Sequence, residues 1–250
     1  MVLKVCHQSR VQQSTFWLGI NTLFQLDFPH SLHATQQISQ FLHKAGAFAV
    51  PEVIAEQARQ FVLVRYMVGE DITADSVDED CVRQLAHHLG KLHQHQSVNW
   101  GSLNNPSFNA VDWSVRLEDT LRVLAERASL PIPAKWMQQV REEIQQIRPQ
   151  HFVPTMPDLR WDQLRRLENG QLAVVDLDAF VRAPRELDFV LLDYLLRPQH
   201  ALAFKGTYSQ YHDWPDVSTC RLTYRLLLFL MHVLGEPDLE KWLSQPVLPE

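Results

Sequence analysis

The sequence predicts an α+β protein with two lobes, a small β-rich N-terminal lobe and a larger helical C-terminal lobe that contains one β-hairpin. Three observations lead to this fold class. The N-terminal part includes segments rich in β-branched and aromatic residues, which favour strands. Apolar residues recur at helical spacing after Gly69. Within that helical part, Asn169-Gly170 is a strong signal for a tight hairpin.

Four extended segments and one helix are predicted for the N-terminal lobe, which is assigned to residues 1–68. The extended segments cover residues 1–6, 14–27, 50–54 and 61–67. The helix covers residues 31–45, because Ile38, Phe41 and Leu42 fall on one helical face and Gly46 ends the pattern. This lobe is therefore predicted to be a small sheet with one long helix.

Five helices and the hairpin are predicted for the C-terminal lobe, which is assigned to residues 69–250. Apolar residues at helical spacing predict helices over residues 80–94, 113–130, 133–147, 187–196 and 216–234. The hairpin strands cover residues 164–168 and 171–176. Asn169-Gly170 between them predicts a type I′ turn, which needs a positive φ at both central residues.

Composition narrows the class of protein. The formal charge of −6 and the isoelectric point near 6.0 give no reason to expect a nucleic-acid partner. The most apolar stretch, residues 226–234, is shorter than the roughly 20 residues that cross a bilayer. Three widely separated cysteines are typical of free thiols in a reducing compartment. We therefore expect a cytoplasmic protein that binds neither nucleic acid nor membrane.

Candidate catalytic groups lie at both ends of the hairpin. Asp158 and Gln163 precede its first strand, and Asp176 and Asp178 lie at the end of its second. A tight hairpin brings the ends of its strands together, so Asp158, Gln163 and Asp176 are expected to converge. Carboxylate and amide oxygens are ligands that Mg²⁺ prefers, with phosphate oxygens completing the shell. On spacing alone, carboxylates that cap turns and helices are the simpler interpretation.

Motifs along the chain favour a functional role for these carboxylates over a capping role. They are Leu89-Gly90-Lys91-Leu92-His93, Met156-Pro157-Asp158 with Gln163, Val175-Asp176-Leu177-Asp178, and Leu187-Asp188-Phe189. In order and spacing they resemble the Leu-x-x-Leu-His helix end, the His-Gly-Asp-x-x-x-x-Asn loop, the Ile-Asp-Trp-Glu-like run and the Asp-Leu-Ala-like motif of the aminoglycoside phosphotransferase and choline kinase-like family. Residues 46–70 resemble the family's segment from the N-lobe helix to the hinge. The resemblance implies a protein-kinase-like fold, with a reduced N-terminal lobe.

The same resemblance implies roles for the residues at the hairpin ends. Asp158 would orient the acceptor hydroxyl and take its proton, and Arg160 would neutralise charge on the transferred phosphoryl group. Asp176 would hold Mg²⁺ against the ATP phosphates. Gln163, in place of the family's Asn, and Asp178 would be further metal ligands. A small molecule with a hydroxyl group is the implied substrate.

The N-terminal lobe would hold the nucleotide. Tyr66, Met67 and Val68 correspond to the hinge that meets adenine through backbone groups. Lys4 is the candidate for the strand lysine of the family, although an unusually long segment then separates it from the helix. ATP and Mg²⁺ are the implied cofactors.

Departures from the family pattern leave a second function open. Met156 and Pro157 replace the loop's His and Gly, and Gln36 or Gln37 stands where the helix Glu is expected. The eight glycines are isolated from one another, so no glycine-rich phosphate loop is present. Asp188 is expected to brace the catalytic loop. The chain is therefore either an ATP- and Mg²⁺-dependent phosphotransferase or a pseudokinase, a binding or regulatory module without phosphoryl transfer.

Overall fold

The computed structural model describes residues 1–128 and 131–248 of the chain. The helices in this part of the chain are α1 (Gln8–Gln13), α2 (Thr15–Phe24), α3 (Thr35–Ala45), α4 (Glu79–His93), α5 (Asp112–Ala128), α6 (Ala134–Gln146), α7 (Glu186–Leu195), α8 (Ala201–Tyr208), α9 (Arg221–Leu230) and α10 (Leu239–Leu243). The strands are β1 (Val2–Val5), β2 (Val53–Gln57), β3 (Phe61–Val64), β4 (Glu70–Asp71), β5 (Asn99–Ser102), β6 (Pro106–Asn109), β7 (Val153–Thr155), β8 (Leu164–Arg166), β9 (Leu172–Val174) and β10 (Val181–Ala183).

The N-terminal sheet has three antiparallel strands in the order β1-β3-β2. The predicted strands at residues 1–6 and 61–67 are confirmed by β1 and β3, and the extended segment that starts at residue 50 continues into β2. Val62 and Val64 of β3 form a small apolar cluster with Leu32, which lies in a 3₁₀ turn just before α3. The register places Lys4 of β1 opposite Val62. Lys4 therefore lies in an edge strand of this sheet.

The strand predicted over residues 14–27 is wrong, because this segment forms α2. The Ser14 side chain caps the helix by accepting a hydrogen bond from the Trp17 backbone N–H at 3.3 Å. Ile20, Leu23 and Phe24 are fully buried on one helical face. That face packs against α5 of the helical part, since the side chain of Arg116 in α5 donates to the Leu23 carbonyl. The assignment of the first lobe to residues 1–68 stays a prediction, although α2 within it contacts the other part of the molecule.

Four of the five helices predicted for the C-terminal lobe are confirmed, as α4, α5, α6 and α7. The predicted end of α5 at residues 129–130 lies outside the described residues. The fifth was predicted too long, because the helical residues of 216–234 are α9 alone. Asp216 accepts a hydrogen bond from the Ser218 backbone N–H and forms a turn instead. His232 adopts a positive φ of 61°, which ends the helical run.

A four-stranded antiparallel sheet in the C-terminal part was not predicted. Its strand order is β6-β5-β10-β7. These strands are three or four residues long and include Pro106 and Pro154, so they carry little of the alternation that marks a strand. The sheet matters for the site because β7 leads into the segment that contains Asp158.

The predicted hairpin is confirmed by β8 and β9, which pair with the edge strand β4 in a second small sheet. The predicted turn type is wrong. Gly170 adopts a φ of 82° and is the residue of this turn with a positive φ. Its N–H donates to the Leu167 carbonyl, and the Leu167 N–H donates to the Gln171 carbonyl, both at 2.9 Å. One central residue of the turn therefore has a positive φ, whereas a type I′ turn would have two.

A buried ion pair ties α7 to α9 and to the end of the described chain. Arg225 donates to Asp193 at 2.8 Å, and their side chains are 6% and 3% exposed. The second oxygen of Asp193 accepts the Leu248 backbone N–H at 3.0 Å. The carboxylate therefore satisfies a guanidinium and a backbone donor at once.

Asp193→Ala is expected to lower the free energy of unfolding by about 3 kcal/mol, because it leaves Arg225 buried without its partner. Urea unfolding at neutral pH measures this change. Asp119→Ala is the matched control, since Asp119 pairs with Arg122 on the exposed face of α5. That control is expected to change the free energy by less than about 1 kcal/mol. Equal losses in the two variants would contradict the assignment of the Asp193 pair as a major stabilising contact.

Candidate active site

The catalytic-loop candidates lie between β7 and β8. Asp158 accepts a hydrogen bond from Gln163 Nε2 at 2.7 Å, and Arg160 Nε lies 3.4 Å from Asp158 Oδ1. The Gln163 backbone carbonyl accepts the N–H of Val175, which directly precedes Asp176. The two ends of the hairpin are therefore joined, and the structure brings Asp158 and Gln163 next to the segment that carries Asp176.

Asp158 differs from an ordinary surface carboxylate. Burial raises its pKa from 3.8 to about 6, against the opposing effects of the Arg160 charge and the Gln163 hydrogen bond. The charge of Asp176 acts in the same direction as burial. A carboxylate with this pKa is a better proton acceptor than a solvated one at neutral pH. It lies 19% exposed, so a ligand can still reach it.

Lys4 joins the N-terminal sheet to the other two carboxylates. Its Nζ lies 2.7 Å from Asp176 Oδ1 and 2.9 Å from Asp178 Oδ2. Burial lowers the pKa of Lys4, but the charges of Asp178 and Asp176 outweigh burial and raise it overall. Lys4 is therefore a firmly protonated ammonium group held between two carboxylates.

The two carboxylates are not equivalent. Burial raises the pKa of both, but the Lys4 charge reverses this effect at Asp176 and holds its pKa below the ordinary value. At Asp178, burial and the adjacent Asp176 charge prevail and raise the pKa. Asp176 is therefore the carboxylate that stays ionised over the wider pH range.

The oxygen donors of this site suit a magnesium ion. Within the described residues, Gln163 Oε1 and Asp178 Oδ1 are buried and have no hydrogen-bond partner. Like the Asp176 carboxylate, these two unsatisfied oxygens are hard donors of the type that Mg²⁺ prefers. No group of three or more His, Cys, Asp or Glu side chains suited to a metal occurs between residues 1 and 128 or 131 and 248. A magnesium ion here would therefore also need oxygens from phosphate or water.

The hinge candidates border a cavity of about 280 Å³. Tyr66 and Met67 line it, whereas Val68 points to solvent with 66% of its surface exposed. Most of the remaining wall is apolar and comes from Val2, Pro51, Val64 and Val175. A flat aromatic ring of nucleobase size suits such a cavity. It lies between the N-terminal sheet and the segment that ends in Asp176.

Arg165 and Gly69 fix the geometry of the segment that contains the hinge candidates. The Arg165 guanidinium lies 4.8 Å from the centre of the Tyr66 ring and donates to the Met67 carbonyl at 2.8 Å. A Cβ on Gly69 would lie 2.5 Å from the Arg166 carbonyl oxygen, so only glycine allows this close approach to β8. Arg165 was not predicted from the sequence, because its contact with Met67 joins residues that are 98 positions apart.

A buried polar network lies close to Met156, in the segment that leads to Asp158. His93 at the end of α4 contacts Asp188 Oδ2 at 3.1 Å and the Tyr208 hydroxyl at 2.8 Å. Asp188 lies close to the backbone of Met156, two residues before Asp158, and burial raises its pKa. The role of Asp188 in bracing this segment stays a prediction.

The structure leaves the expected helix carboxylate without a counterpart. Helix α3 contains no Asp or Glu, and Gln36 and Gln37 are both exposed. Gln37 and Asp178 line the same cavity of about 310 Å³, between α3 and the turn that joins β5 to β6. The ion pairs of Lys4 therefore come from the loop after β9 and not from the helix.

A model of the phosphotransferase enzyme family, APH, matches residues 8–220. The match spans most of the chain, and the chain belongs to this phosphotransferase family. The family that the motifs predicted is thereby confirmed. No curated protein sequence matches the chain.

Solved structures of kinase-like phosphotransferases have the same fold, which confirms the predicted fold class. The apoenzyme of the macrolide 2′-phosphotransferase MphH from Brachybacterium faecium aligns with a TM-score of 0.56 and 15% identity, over 87% of this chain and 80% of that one. An ADP-bound aminoglycoside phosphotransferase, APH(2″)-Ib, aligns with a TM-score of 0.54 and 15% identity, over 86% and 83%. An ethanolamine kinase from Plasmodium vivax aligns with a TM-score of 0.51 and 11% identity, over 88% and 71%.

None of the described helices is long and apolar enough to cross a membrane.

Proposed function

We propose that this protein transfers the γ-phosphoryl group of ATP, with Mg²⁺, to a hydroxyl group of a small molecule. The observation that carries the proposal is the ion pair of Lys4 with Asp176, a carboxylate whose charge acts on Asp158 and which follows Val175 in the wall of the cavity beside Tyr66. Asp158 is the base that orients the acceptor hydroxyl and accepts its proton. Arg160 lies beside it, where a guanidinium can neutralise charge on the phosphoryl group.

The nucleotide is held from both lobes in this proposal. Tyr66, Met67 and Val68 form the hinge, and adenine occupies the cavity that Tyr66 and Met67 line. Lys4 contacts the phosphates from the N-terminal sheet. The names of the structural neighbours include ADP and GDP complexes, which supports a nucleotide in this position.

Asp176, Gln163 and Asp178 would hold Mg²⁺, which supplies charge neutralisation for the phosphates when it is bound. The unsatisfied oxygens of Gln163 and Asp178 support this assignment. The acceptor belongs to the class of hydroxyl-bearing small molecules, as do the macrolide, aminoglycoside and ethanolamine substrates in the names of the structural neighbours.

The test combines nucleotide binding and turnover in the wild-type chain. Melting temperatures are measured with ATP and with GTP, each in Mg²⁺ and in EDTA. A ligand at 100 times its Kd stabilises the folded state by about 2.7 kcal/mol, which is readily detected. A screen of amino alcohols, aminoglycosides and macrolides then measures ADP or GDP release. Binding without release from any acceptor supports the pseudokinase, and no binding at millimolar nucleotide contradicts a nucleotide site.

The pH dependence of kcat/KM is expected to follow the pKa of Asp158. The base must be ionised, and burial raises its pKa to about 6. The rate is therefore expected to fall about tenfold for each pH unit below about 6 and to be level above it. Initial rates between pH 4.5 and 8.5 measure the profile. A rate that stays level down to pH 5 would contradict the role of Asp158 as base.

A further inference from the structure

We propose that Asp178 positions Lys4 for the nucleotide phosphates, in place of a carboxylate from helix α3. This inference rests on the proposed function, because it assigns a role within the same site. It starts from the ion pair between Lys4 Nζ and Asp178 Oδ2 at 2.9 Å.

Lys4 needs a carboxylate partner to stay in place. Lysine carries its charge on a flexible four-carbon chain, and an ammonium group that is 20% exposed is stable only when paired. Of the two ion pairs that the described residues give Lys4, one is with Asp176. That carboxylate is also the proposed principal Mg²⁺ ligand. Asp178 is the partner that remains available to Lys4 when Asp176 turns its oxygens to a metal.

Helix α3 cannot provide this partner. Its eleven residues include neither Asp nor Glu. A glutamine amide can accept a hydrogen bond from an ammonium group but cannot neutralise it. Asp178 lines the same cavity as Gln37, so the loop carboxylate lies next to the helix that carries none.

Asp178 is itself held firmly. Its backbone N–H donates to Asp176 Oδ1 at 3.2 Å, and its side chain is 11% exposed. Leu177 and Ala179 on either side are buried in the core. Because Oδ2 contacts Lys4 while Oδ1 has no partner within the described residues, one carboxylate can hold the lysine and still offer an oxygen to a metal.

The test measures the affinity for ATP in EDTA, where no metal contributes, and compares all variants in a chain that carries Asp176→Asn, so that Asp178 is the ionised partner of Lys4. Asp178→Asn is expected to weaken ATP binding about tenfold. The reason is that Lys4 is no longer held, and a tenfold loss corresponds to about one charge-assisted hydrogen bond to the phosphates. Removing a negative charge beside a polyphosphate would by itself strengthen binding. The direction of the change therefore separates a positioning role from a purely electrostatic one.

A double-mutant cycle with Lys4→Met tests whether the loss of ATP affinity in Asp178→Asn acts through Lys4. Asp178→Asn is expected to add no further loss in the Lys4→Met background, because Asp178 acts through Lys4. Asp178→Glu keeps a carboxylate and is expected to restore affinity to within about threefold of the Asp176→Asn chain. Asp75→Asn removes the same charge at a position where the side chain is 94% exposed, and is expected to leave affinity unchanged.

Urea unfolding verifies that each variant is folded. Equal or tighter ATP binding by Asp178→Asn, or a full additional loss in the Lys4→Met background, would overturn the inference and leave the proposed function in place. If the wild-type chain binds no ATP with Mg²⁺ present, the proposed function fails, and the inference fails with it.

Discussion

Asp158→Asn is expected to lower kcat about 10³-fold while the affinity for MgATP stays within about threefold of wild type. A positioned general base contributes between about 10² and 10⁴ to the rate, and asparagine cannot accept the proton. Its amide keeps the size of the carboxylate and can still accept the hydrogen bond from Gln163. Steady-state kinetics with a responding acceptor, together with equilibrium binding of MgATP, measure the two effects separately.

The same substitution is expected to raise the free energy of unfolding at neutral pH by up to about 3 kcal/mol. The pKa of Asp158 is 3.8 for an ordinary carboxyl and about 6 in the folded chain, and one pKa unit equals about 1.4 kcal/mol. Ionised Asp158 therefore destabilises the fold. This cost is absent below pH 3.8, grows as the pH rises, and is complete above about 6. Unfolding at pH 7.5 measures it.

Asp162→Asn is the matched control for both effects. Asp162 lies 3.4 Å from the same Arg160 side chain, but its own side chain is 68% exposed. Its substitution is expected to change stability by less than about 0.5 kcal/mol. An Asp158→Asn variant that keeps more than a tenth of the activity, or that is less stable than wild type at pH 7.5, would contradict the interpretation of Asp158 as a buried base.

Asp176→Asn is expected to abolish the part of ATP binding that depends on Mg²⁺ and to lower kcat by at least about 10³-fold. Asp176 is the carboxylate whose pKa the Lys4 charge holds low, so it stays ionised for a metal across the neutral range. An amide offers one neutral oxygen and binds Mg²⁺ far more weakly than a carboxylate. The gain in melting temperature with MgATP over ATP in EDTA is therefore expected to disappear in the variant.

The fold of Asp176→Asn is expected to survive, because Lys4 keeps Asp178 as a partner. Circular dichroism and urea unfolding verify this. ATP binding in EDTA serves as the internal control, since it does not require the metal. A variant that retains the full Mg²⁺-dependent gain would show that the metal is held elsewhere and would remove Asp176 from the site.

The hairpin was predictable because its signals are local. Asn169-Gly170 lies between two apolar runs, and one glycine with positive φ is enough to reverse the chain. The hydrogen bond from the Val175 N–H to the Gln163 carbonyl follows from that reversal, because the two residues lie at the paired ends of the hairpin. The contact of Lys4 with Asp176 was beyond such reasoning, because 172 residues separate the two side chains.

Helix α2 was missed for a different reason. Its aromatic and β-branched residues, such as Phe16, Trp17 and Ile20, favour strands when they are judged one at a time. Burial of Ile20, Leu23 and Phe24 against α5 outweighs that preference, and a single sequence does not show which face will find a partner. The short strands β5, β6, β7 and β10 likewise depend on their pairing and not on their own composition.

The position of α2 also determines how the molecule can be divided. The chain leaves the N-terminal sheet after β1, forms α2 on α5, and returns to α3, β2 and β3 before it continues to α4. The two regions are therefore linked by three crossings of the backbone. A fragment that ends at residue 68 would carry α2 away from its partner and expose Ile20, Leu23 and Phe24 to water. The N-terminal region is therefore not separable from the rest of the chain. A chimera that takes this region from a homologue would also have to take α5 from it.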